Sequence, residues 1–177
     1  MSGRPSQHAP STVQSACALA LGWLAGRDLS AAEIQLRLRR RGCTDAISRR
    51  AIEHLRFTGA IDDERVALIR ARVESALRGR GRERVLLRLR SIGIDAETAK
   101  RAVDAVFQEV DEEASLERAL ARRLKKPDAL VRTPSEYRRL YDALVRQGFP
   151  PSDVRKVLDR RRVKSSEFWV EEDRSQD

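Results

Sequence analysis

The stretch Arg82 to Val110, RERVLLRLRSIGIDAETAKRAVDAVFQEV, decides the fold, because its pattern recurs on both sides of it. Val85, Leu89 and Ile92 recur at helical spacing, and Gly93 ends the helix they define. Two residues on, Asp95 supplies an N-cap for a second helix whose apolar face is Ala99, Ala102, Val103, Val106 and Phe107.

Gly42 and Gly148 stand in the same surroundings. Eight residues before the three glycines come Ile34, Val85 and Leu140; four before come Leu38, Leu89 and Leu144. One residue after come Cys43, Ile94 and Phe149, and ten after come Ile52, Val103 and Leu158. The glycines are 51 and 55 residues apart, a period that suits a repeat of two or three helices and is too long for a heptad. The expected fold is all-α, three tandem three-helix repeats forming an elongated, curved molecule. Its divisions are a disordered leader 1–12, repeats at 13–60, 61–110 and 111–164, and an acidic flexible tail 165–177. Repeats of about fifty residues are near the lower limit for an independent core, so neighbours are expected to lean on one another.

Helix starts are written into the chain. Ser30 and Glu33 form a capping box, as do Thr133 and Glu136, the latter with Pro134 at the first helical position. A third helix of the first repeat spans about Asp45 to Phe57 and buries Ile47, Ala51, Ile52 and Leu55. The first helix, from about Val13 to Ala25, is apolar nearly all round and is expected to be covered on several sides. Val66, Ile69, Val73 and Leu77 share one side of the helix after Asp62-Asp63. Trp23, Phe57, Phe107 and Tyr141 fall near core registers, which leaves no evident stacking platform for bases.

The formal charge of +9 points to an anionic partner. From Arg70 to Arg101 there are ten Arg or Lys against four Asp or Glu, the densest basic region of the chain. There Arg78-Gly79-Arg80-Gly81-Arg82 sets two glycines between three arginines, keeping the backbone supple, and Arg84 and Arg88 follow on the helix side away from Val85. In the first repeat Arg37, Arg40 and Arg41 occupy a similar face. Leu36 and Leu87 are counterparts that point outward. A solvated charged face is the plain alternative for any such helix. The acidic tail, with Phe168-Trp169-Val170 inside it, is expected to fray, or else to fold back on the basic face.

Several chemistries lack their residues. There is no Walker loop, GxGxxG, HExxH, CxxC pair or GxSxG, and the histidines are His8, in the leader, and His54, on an expected helix surface. Asp62-Asp63-Glu64 has no second cluster or nucleophile to work with, so it is read as a helix cap at the positive dipole end. Cys17 and Cys43 lie in apolar runs and read as core residues in a reducing compartment. The apolar run Cys17 to Ala25 is too short to span a bilayer. No catalytic residue, metal or cofactor is expected, and a cytoplasmic protein is.

LSAAEIQLRLRRRG (29–42), IDDERVA (61–67), RGRGRERVLLRLRSIGID (78–95) and LVRQGFPPSDVRKVL (144–158) together, in this order and spacing, resemble the RecX regulators of the RecA recombinase over about Ala16 to Arg162. Val66 departs from the pattern, which has Phe after the paired acidic residues. The resemblance implies a curved, all-α molecule that lies in the groove of the RecA filament on single-stranded DNA; a monomer is expected. There it would limit filament growth, ATP hydrolysis and strand exchange, in DNA repair and the SOS response. It implies no catalytic residue. On this reading Arg37, Arg40, Arg41, Arg78, Arg80, Arg82, Arg84 and Arg88 are the partner- or DNA-binding face, docking on acidic recombinase surface or on the phosphates of single-stranded or double-stranded DNA. The alternatives are a helix-turn-helix-like DNA-binding regulator that acts without a recombinase, and an adaptor whose Leu36 and Leu87 faces grip another helix.

Overall fold

The computed structural model describes residues 9–124 and 129–163. The first eight residues of the leader, residues 125–128 and the acidic tail lie outside the described residues. The fold is all-α: α1 (Val13–Leu24), α2 (Ala31–Arg40), α3 (Asp45–Phe57), α4 (Asp63–Arg72), α5 (Arg82–Ser91), α6 (Ala96–Gln108), α7 (Glu112–Ala121), α8 (Pro134–Arg146) and α9 (Pro151–Arg160). They follow one another as three tandem three-helix repeats. A π-helical turn, Val73–Leu77, continues α4. Among the described residues Val131 and Arg162 form an isolated parallel β-bridge.

The repeat alignment has a physical basis. Gly42, Gly93 and Gly148 have φ of +81°, +80° and +97°, the left-handed region that a side chain resists. Past each, an amide reaches back to an orphan carbonyl of the preceding helix: Cys43 N to Leu38 O at 3.0 Å, Ile94 N to Leu89 O at 3.2 Å, and Phe149 N to Leu144 O at 3.3 Å. All twelve apolar residues aligned around the three glycines are buried.

The chain divides into two compact units, one holding the described residues up to Ile69 with Leu89–Ala102, the other Arg70–Arg88 with Val103 onward. In the first, α1 and α2 pack on α3. The core there is Leu29, Ile34, Leu38, Leu55 and Ile61 beside the small residues Ala16, Cys17, Ala20 and Ala51. Here α1 departs from expectation. It buries a seam of Ala16, Cys17 and Ala20, while Leu21 is half exposed. The small seam lets α1 sit close to α3 and leaves its large side chains to either side. Burial pushes the Cys17 thiol above its usual pKa, and both cysteines are buried and free.

Phe57 is 90% exposed rather than in the core, because it lies round the helix from the buried Ala51, Ile52 and Leu55. The face of α4 also differs. Val66, Ala67 and Ala71 are buried, whereas Ile69 and Leu77 are exposed. The π turn adds a residue to the helical ladder, which breaks the register and turns Glu74 inward.

In the second unit α7, α8 and α9 pack mutually around Leu116, Leu120, Val131, Leu140, Leu144, Phe149, Val154 and Leu158. Tyr137 of α8 donates its hydroxyl to Asp159 of α9 at 3.0 Å; burial, then this bond, raises its pKa. The expected capping box at Thr133 is half formed. Thr133 accepts from Glu136 N, but the Glu136 carboxylate accepts from Arg132 N, one residue earlier than the reciprocal bond needs.

Candidate functional site

The acidic linkers hold helix starts, and they do so with a division of labour. Asp62 accepts from Arg65 N at 2.9 Å and so caps its own helix α4. Asp63 instead accepts from Ala31 N at 2.9 Å, at the start of α2, and pairs with Arg56 at 2.7 Å. In the next linker Asp111 caps α7, accepting from Ala114 N at 2.9 Å, and Glu112 reaches Arg82 at the start of α5. The residue types that suggest a metal site are thus engaged as structural acceptors. Among the described residues no group of three or more His, Cys, Asp or Glu side chains is arranged to hold a metal ion.

The eight arginines singled out in the sequence differ in exposure and in their partners. Arg40, Arg41 and Arg84 are exposed and have no carboxylate partner among the described residues. Arg37 is half-buried, its guanidinium 5.7 Å from the centre of the Trp23 ring. Arg82 pairs with Asp104 and Glu112 and lies over the Phe107 ring. Arg78, Arg80 and Arg88 all approach one carboxylate, Glu74, at 3.1, 2.6 and 3.9 Å. Glu74 is 3% exposed, so three guanidinium groups offset the cost of burying its charge.

The run Arg78 to Arg82 is therefore a braced turn rather than a supple one. Gly79 has a φ of +58°. Gly81 has no Cβ because a Cβ there would overlap the Gly148 carbonyl. Gly81 N donates to Gln147 O at 3.0 Å, and Glu83 N to Gly148 O at 3.3 Å. The Gln147 side chain donates to the Gly79 carbonyl and accepts from Arg123. Helix α5 thus begins on the carbonyl end of α8.

This brace creates a groove that the sequence did not show. Arg78 and Arg80 line it together with Arg122, Arg123 and Arg146, from the ends of α7 and α8, and with Gln147 and Ala143. The hollow is about 430 Å³, and no acidic side chain lines it. Arg123 is held by the Ala119 carbonyl at 2.7 Å, and partial burial, then the charge of Arg122, lowers its pKa. Arg122, Arg123 and Arg146 escaped the sequence reading because their relation to Arg78 depends on contacts about 70 residues apart. One signal was available: Arg146 stands two residues before its turn glycine, as Arg40 does.

The chain is all-α and built of three-helix repeats with arginine-rich surfaces, and its relatives make that class specific. The model of the RecX first three-helix domain matches residues 16–55. A regulatory protein RecX of Thermotoga petrophila is 31% identical over 128 residues, which are 72% of this chain and 73% of that one. That of Mycolicibacterium smegmatis is 29% identical over 175 residues, 91% of each chain. The crystal structure of RecX from Lactobacillus salivarius superposes with a TM-score of 0.65 at 19% identity, over 84% of this chain and 97% of that one. Another crystal structure, of a regulatory protein RecX, gives 0.71 at 18% identity, over 83% and 73%. The chain belongs to the RecX family of regulatory proteins. No helix among the described residues is long and apolar enough to cross a membrane.

Proposed function

We propose that this protein binds the RecA recombinase filament on single-stranded DNA and lowers its assembly, ATP hydrolysis and recombination activity, acting as a monomer in the cytoplasm and without catalysis of its own. Membership of the RecX family of regulatory proteins is the observation that carries the reading. The repeat construction supports it, since small cores joined through capped helix starts suit a scaffold that meets several protomers. The exposed Arg40, Arg41 and Arg84 supply electrostatic docking on acidic protein surface or DNA phosphate. Arg78, Arg80 and Arg88 contribute less freely, because each is also committed to Glu74.

The test is the single-stranded-DNA-dependent ATPase of the cognate recombinase, with this protein titrated up to equimolar. A dose-dependent fall is expected, and an unchanged rate while DNA is still bound favours a DNA-binding regulator independent of the recombinase. Charge reversal is best made at Arg40, Arg41 and Arg84, which should weaken inhibition at unchanged melting temperature. Arg88→Glu is unsuitable, because it sets a second carboxylate beside buried Glu74.

A further inference from the structure

We infer that the acidic segment 165–177 docks on the second unit of its own chain, with Glu171-Glu172-Asp173 in the arginine groove and Phe168-Trp169-Val170 in the hollow beside it. An anionic partner of the groove then has to displace it. The inference concerns this chain alone and is independent of the recombinase reading.

Charge selects the segment. The chain has three runs of three consecutive acidic residues, at 62–64, 111–113 and 171–173. The fold uses the first two. Asp62 and Asp63 accept from helix-start amides, and Glu64 pairs with Arg101 at 2.8 Å. Asp111 caps α7, while Glu112 pairs with Arg82 and Glu113 with Arg160 at 2.7 Å. The arginine groove has the complementary deficit. Five guanidinium groups and no acidic side chain line it, and Arg122 and Arg146 have no carboxylate partner among the described residues. A second hollow of the same unit, about 390 Å³, makes the contrast, because its cations pair with acids of its own wall, Arg160 with Glu113 and Lys156 with Asp153 at 3.3 Å.

Apolar surface selects it as well. Phe168, Trp169 and Val170 stand directly before the third acidic run. Directly beside the arginine groove, and sharing Arg146 with it, is a hollow of about 290 Å³ whose wall includes Leu87, Val145 and Arg84. Leu87 is 55% exposed there. Rings laid over Leu87 and Val145 take that surface out of water and offer their faces to Arg84 and Arg146. The order apolar then acidic in the segment is thus matched by an apolar hollow next to a basic groove. A polyanion without apolar groups fills only the basic half.

The segment also reaches. Val163 N donates to Val131 O at 3.1 Å, which puts the last described residue beside the start of α8. The groove and the hollow lie at the other end of α8, whose 13 residues span about 20 Å. The acidic run begins eight residues past Val163 and ends ten past it, an extended reach of about 26–33 Å. Because the segment is part of the chain, its local concentration at the groove does not fall on dilution.

The experiment follows Trp169 by fluorescence in the full chain carrying Trp23→Phe, which leaves Trp169 as the single tryptophan. At low salt its emission should be blue-shifted and protected from acrylamide. Both should decline between about 0.1 and 1 M salt, over which the screening length falls from about 10 to 3 Å. Arg122→Gln with Arg146→Gln should bring the red-shifted, quenchable state to low salt. Arg50→Gln with Arg139→Gln removes the same charge from exposed positions outside the groove and should leave Trp169 protected. Should circular dichroism show that Trp23→Phe unfolds the chain, the Trp169 signal is read as the difference between the unaltered chain and Trp169→Phe. Full exposure of Trp169 at low salt would overturn the assignment, as would a response to the groove pair no larger than to the control pair. Protection that is lost on dilution would overturn it too, placing the segment on a second copy. No recombinase enters these measurements, so their failure and that of the regulatory reading are told apart.

Discussion

The start of α2 and the start of α5 occupy the same place in successive repeats, yet their orphan amides are satisfied in different ways. At α2, side chains serve. Ser30 Oγ accepts from Glu33 N, Glu33 accepts from Ser30 N, and Asp63 accepts from Ala31 N. The Ser30 hydroxyl is then left to donate to Ile92 O at the end of α5, at 2.5 Å. At α5 the cap is Gly81, twelve residues before its turn glycine as Ser30 is before its own, and the backbone of the following repeat serves instead. In both cases the carbonyl end of one second helix meets the amide end of the one before it, an arrangement the two helix dipoles favour. A side-chain cap tolerates some distance between helices; a backbone cap requires contact, and contact requires glycine.

The largest break in this symmetry should come from the turn glycines. A Cβ on Gly148 would overlap the backbone of Arg84, whereas one on Gly93 would meet chiefly the Ala32 methyl. Gly148→Ala should therefore cost roughly 2–5 kcal/mol, left-handed strain and overpacking together. Gly93→Ala should cost less and be partly rescued by Ala32→Gly. Thermal melts of the three variants check this, and equal losses without rescue would show that strain alone matters.

Next comes the brace itself. Glu74→Gln leaves three guanidinium groups around a neutral amide and should destabilise by about 1–3 kcal/mol, since the arginines can partly turn to water. Urea unfolding measures it, and an unchanged midpoint would mean that the π turn holds without its charge.

The acidic linkers sharpen the comparison further. Asp63→Ala strands the Ala31 amide and should cost about 1–2 kcal/mol. Glu112→Ala, its counterpart, should cost under about 1 kcal/mol, because Arg82 keeps Asp104 and both groups are partly solvated. Reversal of that order in chemical denaturation would show that the second junction depends on side chains after all.

The smallest effect concerns acid. Asp95 caps α6 by accepting from Thr98 N at 2.9 Å, and that bond, with the Thr98 side chain, holds its carboxyl below the usual aspartate range. A lowered folded pKa means that the contribution is fully present above the unfolded value of about 3.9 and is lost as pH falls through the folded one. Asp95→Asn should flatten stability against pH slightly below about pH 4, and an identical acid limb in the variant would show that the cap does not titrate with folding.

Much of this was legible in the chain. Alignment on Gly42, Gly93 and Gly148 named twelve buried positions, because a left-handed turn and an apolar period are local requirements. Ser30, Asp62 and Asp95 all cap the helices that follow them, again locally. The site was less legible. Arg78 and Arg80 were visible as charge, but their tie to Glu74 was hidden by an α-helical reading of 66–77 that the π turn interrupts. Gly81 looked flexible in the sequence; against Gly148 it is a point of close approach.

The sequence by itself determined which residues turn, cap and face inward, since those properties depend on neighbours within a few residues. Tertiary structure alone decided which charges are spent and which are free. The electrostatics of an arginine depends on the carboxylates within a few ångströms of it, and for Arg82 those come from 22 and 30 residues away. Arg82 is neutralised by Asp104 and Glu112, while Arg122 and Arg146 share with Arg78 and Arg80 a groove that no local pattern announces.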